Sequence, residues 1–416
     1  MKIPALSSLK KTKSDSAKPS RPPLKKNVHA AAVRPNKLKL KFKLFSIRLG
    51  LDMVFLFLVM LLVIIGTLMM FSASYPSGYA YKGNSFYYLN RQLIFVVIGT
   101  AVMIGASYFD YRILSGKLTF IIYVIALLTL GLVLVIPTDS DVKRWIYIGS
   151  FSIQPSEIAK FAIILFCAQM GSSNVSEMGT FKYGVLPSLL AMVGICLLLA
   201  FEPHFSGIAI ILVLTALMVF ISGAKIRYFL MAGAGLALLI VGAALTGKLG
   251  YAMSRLHGWG QALIYTTDEM WQDTYQTRNS LYAIGSGGFW GQGIGMSRQK
   301  YLYIPEVQND FVFAVVCEEL GFIGAVIILV IFALLVWRGI KISLNTNDRF
   351  GALLGVGLSA QIGIQVILNI LVITDGMPNT GISLPFFSYG GSSLIMLMAQ
   401  MGLVLSVSRT AHLEKA

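Results

Sequence analysis

Charge is what this chain has least of. Only 12% of its 416 residues are Asp, Glu, Lys or Arg, about half the share in a soluble domain. With 56% hydrophobic residues and a mean hydropathy of +0.74, a single water-soluble globule is excluded. Cysteine is scarce as well. Cys167, Cys196 and Cys317 lie in apolar runs, with no C-x-x-C and no His at ligand spacing. Neither a disulfide framework nor a zinc site is expected, and the three read as small apolar packing residues. No period-2 alternation suggests a barrel, so helices are the conformers left for a lipid environment. A cleaved signal peptide is also unexpected. The first apolar run begins after about 50 residues and is too long for the core of one, despite the small residues at 72–74. The fold class is an all-α polytopic membrane protein.

The net charge of +16 is unevenly placed. Residues 1–48 carry 14 lysines and arginines against one acid, Asp15, which leaves the rest of the chain close to neutral. This stretch reads as a basic, disordered tail that stays cytoplasmic and meets anionic lipid headgroups. Nucleic-acid binding is the rival, but the tail has no aromatic before Phe42 and a membrane follows it.

Ten hydrophobic runs approach the length that spans about 30 Å of hydrocarbon. They fall near 51–71, 92–108, 117–136, 155–171, 184–201, 206–222, 227–247, 311–337, 351–374 and 385–407, within a membrane domain of 49–408. With the N-terminus inside, the inner loops hold Arg112, Lys117, Lys182, Lys225, Arg227, Arg338, Lys341 and Arg349, and residues 409–416 form a short inner tail. That distribution obeys the positive-inside rule. The outer loops, 72–91, 137–154, 202–205, 248–310 and 375–384, hold nearly every unusual stretch. The chemistry is therefore expected outside. The 248–310 loop is long enough to be functional. Within it, 251–263 and 275–284 read as short interfacial helices. The run GSGGFWGQGIG at 285–295 reads as a flexible loop that can approach a headgroup, since no strand precedes it as a nucleotide fingerprint would require.

Four polar clusters lie on that side. In RWIYIGSFSIQPSEIAK, Lys143 and Arg144 precede Trp145, Pro155 suits a first helical turn, and Glu157 and Lys160 share a helix face. Structure and substrate contact are equal readings of that pair. In EPHFSG, His204 reads as a polar turn residue. In YIPEVQNDFVFAVVCEELG, a helix starting near Asp310 puts Glu318 about 80° round from it and Glu319 about 180° round. Asp310 is then the rim carboxylate, and the deeper pair suits packing. In DGMPNTGISLPFFSYGGSS, Pro378, Pro385 and the glycines break a helix at membrane depth. Freed N–H groups there, with Ser388, Gly390, Ser392 and Ser393, suit a phosphate.

These four motifs, in this order, resemble the SEDS family of FtsW, RodA and SpoVE proteins, over essentially everything from residue 50 onward. The resemblance implies a ten-span peptidoglycan glycosyltransferase that polymerises lipid II at the outer leaflet of the bacterial plasma membrane. It also implies a class B penicillin-binding protein as partner, with other division or elongation proteins and membrane lipids, and no nucleic acid. The family's essential Asp follows P-E-x-x-x-D, matched by Pro305, Glu306 and Asp310; Gln308-Asn309 stands where many members have His-Thr or Gln-Thr. Asp310 is then the general base, with Arg144, Glu157, Lys160, Glu306, Ser388, Gly390 and Ser392 contacting substrate. No metal site is implied beyond a divalent cation, Mg²⁺ or Mn²⁺, that would help the leaving pyrophosphate. The MMFSAS and LPFFSYGGSSL stretches lean towards an FtsW-like protein at the division septum, with SpoVE and RodA branches as alternatives. A lipid flippase and a non-catalytic scaffold are the readings from other classes.

Overall fold

In the computed structural model, residues 50–136, 144–148, 151–233, 258–264 and 268–413 are described. The basic tail at 1–48, Lys143, residues 234–257 and residues 414–416 lie outside them.

Ten helices organise the described chain. They are α1 (Met53–Lys82), α2 (Tyr87–Tyr108), α3 (Lys117–Val135), α4 (Pro155–Ser173), α5 (Leu186–Phe201), α6 (Phe205–Ile221), α7 (Asp268–Gly287), α8 (Val312–Leu344), α9 (Arg349–Ile373) and α10 (Gly391–Leu413). Seven are long and apolar enough to cross a membrane: α1, α2, α3, α5 extended back to Phe181, α8, α9 and α10. The shorter apolar α6 lies beside them, and α4 carries Glu157 and Lys160 in its first turns. Nine of the ten expected runs are therefore helices, and the tenth, 227–247, begins as helix over 226–233 and leaves the described residues. The chain is an all-α polytopic membrane protein.

The helices pack through small residues and backbone contacts, as they must where lipid supplies no hydrophobic drive between them. A Cβ on Gly402 of α10 would strike the Met103 carbonyl of α2, and one on Gly357 of α9 would meet Ile164 and Met218 at 2.7 Å. Charged side chains lock one end of the bundle. Asp52 accepts the Phe55 N–H to cap α1 and holds the Arg338 guanidinium of α8 at 2.6 Å. Arg349 donates to the carbonyls of Gly171 and Ser222, at the C-terminal ends of α4 and α6. A guanidinium suits this work, since its fork reaches two acceptors and favours the negative ends of helices.

The opposite end is irregular, and it differs from the sequence expectation in four places. Residues 146–148 and 151–153 form an antiparallel hairpin, β1–β2, pairing Ile146 with Ile153. The interfacial helix expected at 275–284 is longer, running over all of α7, while 258–264 are turns and the rest of the expected 251–263 helix lies outside the described residues. The last span begins at Gly391, because 374–390 wrap as coil around the end of α9. Finally, α8 starts at Val312 and is broken at Gly321, where φ is +69°. Because Asp310 and Phe311 lie outside the helix, the 100° spacing argument does not reach from Asp310 to Glu318 and Glu319. Both carboxylates turn to the same neighbour, the segment before α8. Glu318 accepts from Ser297 Oγ and the Arg298 N–H, and Glu319 pairs with Lys300 at 2.9 Å and accepts from Ser72 Oγ. Each acid is almost fully buried, and each is satisfied.

Candidate functional site

The irregular end encloses a cavity of about 380 Å³. Its walls come from α2, the hairpin, the starts of α4, α6 and α10, and the loop before α8. Asp310 forms part of the wall, together with Arg144 and Gly390 of the residues expected from sequence.

Asp310 is held through its backbone. Asn369, fully buried near the end of α9, donates its amide to the Asp310 carbonyl at 2.8 Å and to the Ile382 carbonyl at 2.6 Å. A second tie runs from the Tyr389 N–H to the Gln308 carbonyl, at 2.8 Å. Between these ties, Gly381 lies against the carboxylate. A Cβ there would sit 2.9 Å from Asp310 Oδ2, and its φ of +71° is one that other residues adopt only under strain. The 375–390 coil is therefore the backrest of Asp310. Glu306, expected to touch substrate, does not line this cavity. Its own φ is +49°, and its carboxylate accepts from Gln308 Nε2 and Asn309 Nδ2. The two amides at the positions that depart from the family pattern thus fold the Asp310 loop back on Glu306.

Positive charge converges on the same space. Arg91 of α2 lines the cavity and donates to Tyr87 Oη at 3.0 Å. Arg144 lines it from beside the hairpin and donates to the Pro203 carbonyl at 2.9 Å. Three helices also point their N-terminal ends at the cavity: Gln154 caps α4, His204 caps α6 and Gly391 opens α10. Each N-terminus carries unpaired N–H groups and about half a positive charge. With two arginines, they make a site for an anion, larger and more charged than a carboxylate.

Glu157 and Lys160 stand one layer behind. They pair at 2.7 Å and line a separate chamber of about 30 Å³ with Ser156, Ser206 and Gln365. Gln154, His204, Gly381 and Ser383 border both spaces. The chamber has the volume of about one water molecule. Ser388 and Ser392 are not on the main wall either. Ser388 Oγ accepts the Leu384 N–H, and Ser392 Oγ accepts the Gln154 N–H, so both hold the coil in place. Their neighbours Ser383 and Ser393 face the cavity instead.

Sequence reasoning passed over Arg91, Gln154, Asn369, Ser383 and Tyr389, took Gly381 only as a helix breaker, and read His204 as a turn residue. One signal was present. Arg91 and Arg144 fall in stretches that the sequence reading assigns to outer loops, where the positive-inside rule disfavours cations. His204, in the turn between α5 and α6, is pushed down to about 3 by burial, with Arg144 and Lys160 adding to it. Burial pushes its neighbour Glu202 up to about 8, against the pull of Arg144. Near neutral pH the turn therefore presents a neutral imidazole.

A family profile for FtsW, RodA and SpoVE proteins, described as cell cycle protein, matches residues 52–413. The chain belongs to the FtsW/RodA/SpoVE family. Stage V sporulation protein E of Bacillus subtilis is 37% identical over 369 residues, covering 86% of this chain and 97% of that one. A probable peptidoglycan glycosyltransferase FtsW of Geobacter sulfurreducens is 33% identical, covering 86% and 95%. Among solved structures, the RodA rod shape determining protein of Thermus thermophilus superposes with a TM-score of 0.63 at 28% identity, covering 87% and 97%. A chain from a peptidoglycan synthase complex, studied for its coordination of polymerization and crosslinking, gives 0.70 at 27%, covering 88% and 99%. Family membership thus rests on almost the whole described membrane domain, including the Asp310 loop and its backrest.

Two outcomes follow from this geometry. Replacing Asn369 with Ala frees the Asp310 and Ile382 backbones. Turnover should fall about tenfold to a hundredfold with little change in KM, since small misplacements of a catalytic group are costly. Steady-state kinetics on folded protein checks this. For His204 the sign runs through the unfolded state, which binds a proton below about 6.5 while the folded protein does so only near 3. Stability is lost as pH falls from about 6.5 to 3. Thermal unfolding of His204→Gln should show a shallower acid slope than the wild type.

Proposed function

We propose that this chain is a peptidoglycan glycosyltransferase that polymerises lipid II, with Asp310 as the general base. The observation that carries this reading is one carboxylate on the wall of a cavity otherwise built for an anion. The reaction joins a sugar 4-hydroxyl to the anomeric carbon of another lipid-linked sugar and expels undecaprenyl pyrophosphate. A sugar hydroxyl is a weak nucleophile, and a carboxylate within hydrogen-bond reach removes its proton as the new bond forms. Charge develops on the departing pyrophosphate, where Arg91, Arg144 and the N-terminal ends of α4, α6 and α10 stabilise it. Glu157 and Lys160 form a neutral pair behind the wall and support the start of α4 without touching the reacting atoms. Single displacement inverts the anomeric centre. Glu306 faces its own loop amides and is not placed as a second nucleophile.

A divalent cation fits here on one condition. Among the described residues, no group of three or more His, Cys, Asp or Glu converges as a metal cage. Mg²⁺ commonly takes one or two carboxylates and completes its shell with substrate phosphates and water. Asp310 would then be its protein ligand, and the ion would add positive charge beside the pyrophosphate.

The cavity is placed at the outer leaflet of the bacterial plasma membrane, with both termini cytoplasmic. A class B penicillin-binding protein is the proposed partner, supported by the likeness to a chain from a synthase complex. Among the branches, an FtsW-like role at the division septum is the reading kept from the motifs. The 37% identity to a sporulation protein supports the forespore septum as the second. A fluorescent fusion separates them by its position in dividing and sporulating cells.

Polymerisation of lipid II by purified protein with its partner tests the chemistry. Asp310→Asn should lose about a hundredfold or more of turnover, and a wild-type rate in folded protein would remove the base assignment. Arg91→Ala should lose about tenfold or more. Glycan formed when lipid II is supplied only from the outer side separates a polymerase from a flippase.

A further inference from the structure

The glycine-rich run that sequence reads as flexible is fixed in the structure, and its position gives it a task. At Gly321 the α8 helix breaks, which leaves backbone groups without helical partners. Residues 288–293 supply them. The N–H groups of Gln292 and Gly293 donate to the carbonyls of Glu318 and Glu319, at 2.9 and 3.0 Å. In return, the N–H groups of Phe322 and Ile323 donate to the carbonyls of Gly288 and Phe289, at 2.9 and 3.2 Å. Backbone meets backbone here. A Cβ on Gly291 would strike the Glu319 carbonyl, and one on Gly321 would strike the Gly291 nitrogen. Beyond the loop, Lys300 and Ser297 are held by the buried carboxylates of Glu319 and Glu318. Both ends are anchored, so the tip cannot drift.

That rigid loop presents its large side chains outward. Phe289 is 70% exposed, Trp290 82%, Ile294 74% and Met296 67%. From Gly285 to Met296 there is no ionisable residue. The patch is continuous with the exposed apolar face of α8 through Phe322, whose ring meets Phe289 edge-on at 6.0 Å, and through Ile323 and Ile327 below it. The α8 face belongs to a membrane span. Trp337, with Lys341 over its ring at 5.0 Å, marks the far boundary. About 30 Å of hydrocarbon, at about 1.5 Å per residue, reaches from there to a level near Cys317. Gly321 and the loop docked on it therefore lie at the near boundary or just inside it. At that depth open backbone groups are costly in lipid, which explains why the loop and the broken helix satisfy one another.

We propose that residues 288–296 are a preformed membrane anchor, seated with Phe289, Trp290, Ile294 and Met296 among the outer-leaflet lipids beside α8. Seated there, the anchor fixes the height of the Asp310 loop above the acyl chains. That loop follows α7 and residues 288–300 directly and is tied to them by the Ile304 N–H on the Gln299 carbonyl and by Asn279 on the Tyr303 carbonyl. A lipid-linked substrate presents its sugars at a set distance from the bilayer, so the height of the base matters. This last step rests on the polymerase reading; the anchor itself does not.

The test compares wild type with Trp290→Phe in nanodiscs, the difference reporting Trp290 fluorescence alone. Phosphatidylcholine brominated near the top of its acyl chains should quench that component strongly, and aqueous iodide should not. Quenching by iodide without quenching by brominated lipid would place the loop in water and overturn the proposal. Access to iodide that is lost only when the transpeptidase partner is added would also overturn it, making the patch a protein docking surface. A paired Phe289→Ser, Trp290→Ser variant adds a functional arm. Its polymerisation rate in bilayers should fall about fivefold or more while the lipid-free unfolding temperature stays near that of the wild type. If Trp290 proves lipid-exposed and this rate is unchanged, the anchor stands and its link to the height of Asp310 is lost.

Discussion

The side-chain amide of Asn369 sits between two backbone carbonyls, those of Asp310 and Ile382, in a place that water barely reaches. An amide buried without partners would cost several kcal/mol in lipid, so this pair of hydrogen bonds fixes the spacing between the loop before α8 and the coil before α10. Both segments are irregular at a depth where irregular backbone survives only inside protein or beside a polar cavity. Their mutual satisfaction, with the Tyr389 tie to Gln308 as its second point, leaves a space on one side. That space is the cavity. Asp310 lies on its wall because of where its backbone is tied, and Gly381 lets the carboxylate rest against the coil without a clash.

The electrostatics follow from the same arrangement. Three helices begin at the cavity because three chain reversals occur there, and each brings unpaired N–H groups with it. Arg91 and Arg144 add full charges. Lys160 does not add one directly, since Glu157 neutralises it at 2.7 Å in the chamber behind. The division of labour is spatial. Arg91, Arg144 and three helix ends line the cavity, while the Glu157–Lys160 pair lines the chamber behind it. Glu318 and Glu319 do not line the cavity either. Each accepts two or more hydrogen bonds from the segment before α8 or from α1, and a carboxylate so occupied has little capacity left for substrate.

Much of this was legible in the sequence. The apolar runs gave the spans, because helices are the simplest way to cross lipid and their length is set by its thickness. Asp310 stood out as an ionisable group where the chain enters the membrane. What the sequence hid were the places where backbone overrules periodicity. Gly321 follows Glu318 and Glu319 inside an otherwise apolar run, and nothing in the hydropathy marks the break or places the two acids against the same loop. The run at 285–295 has the composition of a flexible linker, yet its glycines serve close backbone approach. Asn369 is one of several polar residues in the long apolar α9, beside Ser359, Gln361 and Gln365, and its importance depends on two carbonyls outside the helix.

Arg91 shows a different kind of legibility. The positive-inside rule describes where cations are disfavoured during insertion, and a chain that keeps one on the disfavoured side bears a topological cost. In the sequence the orientation signal rests on the 14 lysines and arginines of residues 1–48, so cations can be retained in the expected outer loops. Arg91 and Arg144 both fall in expected outer loops, and both line the cavity. Other cations of the expected outer loops, such as Arg278 and Lys300, are taken up by the packing, so it is the cavity wall and not the charge alone that marks Arg91 and Arg144. The same logic separates Asp310 from the other acids of its stretch. Glu306, Glu318 and Glu319 are each engaged by hydrogen bonds that build the fold and do not line the cavity, whereas Asp310, tied through its backbone carbonyl, does line it.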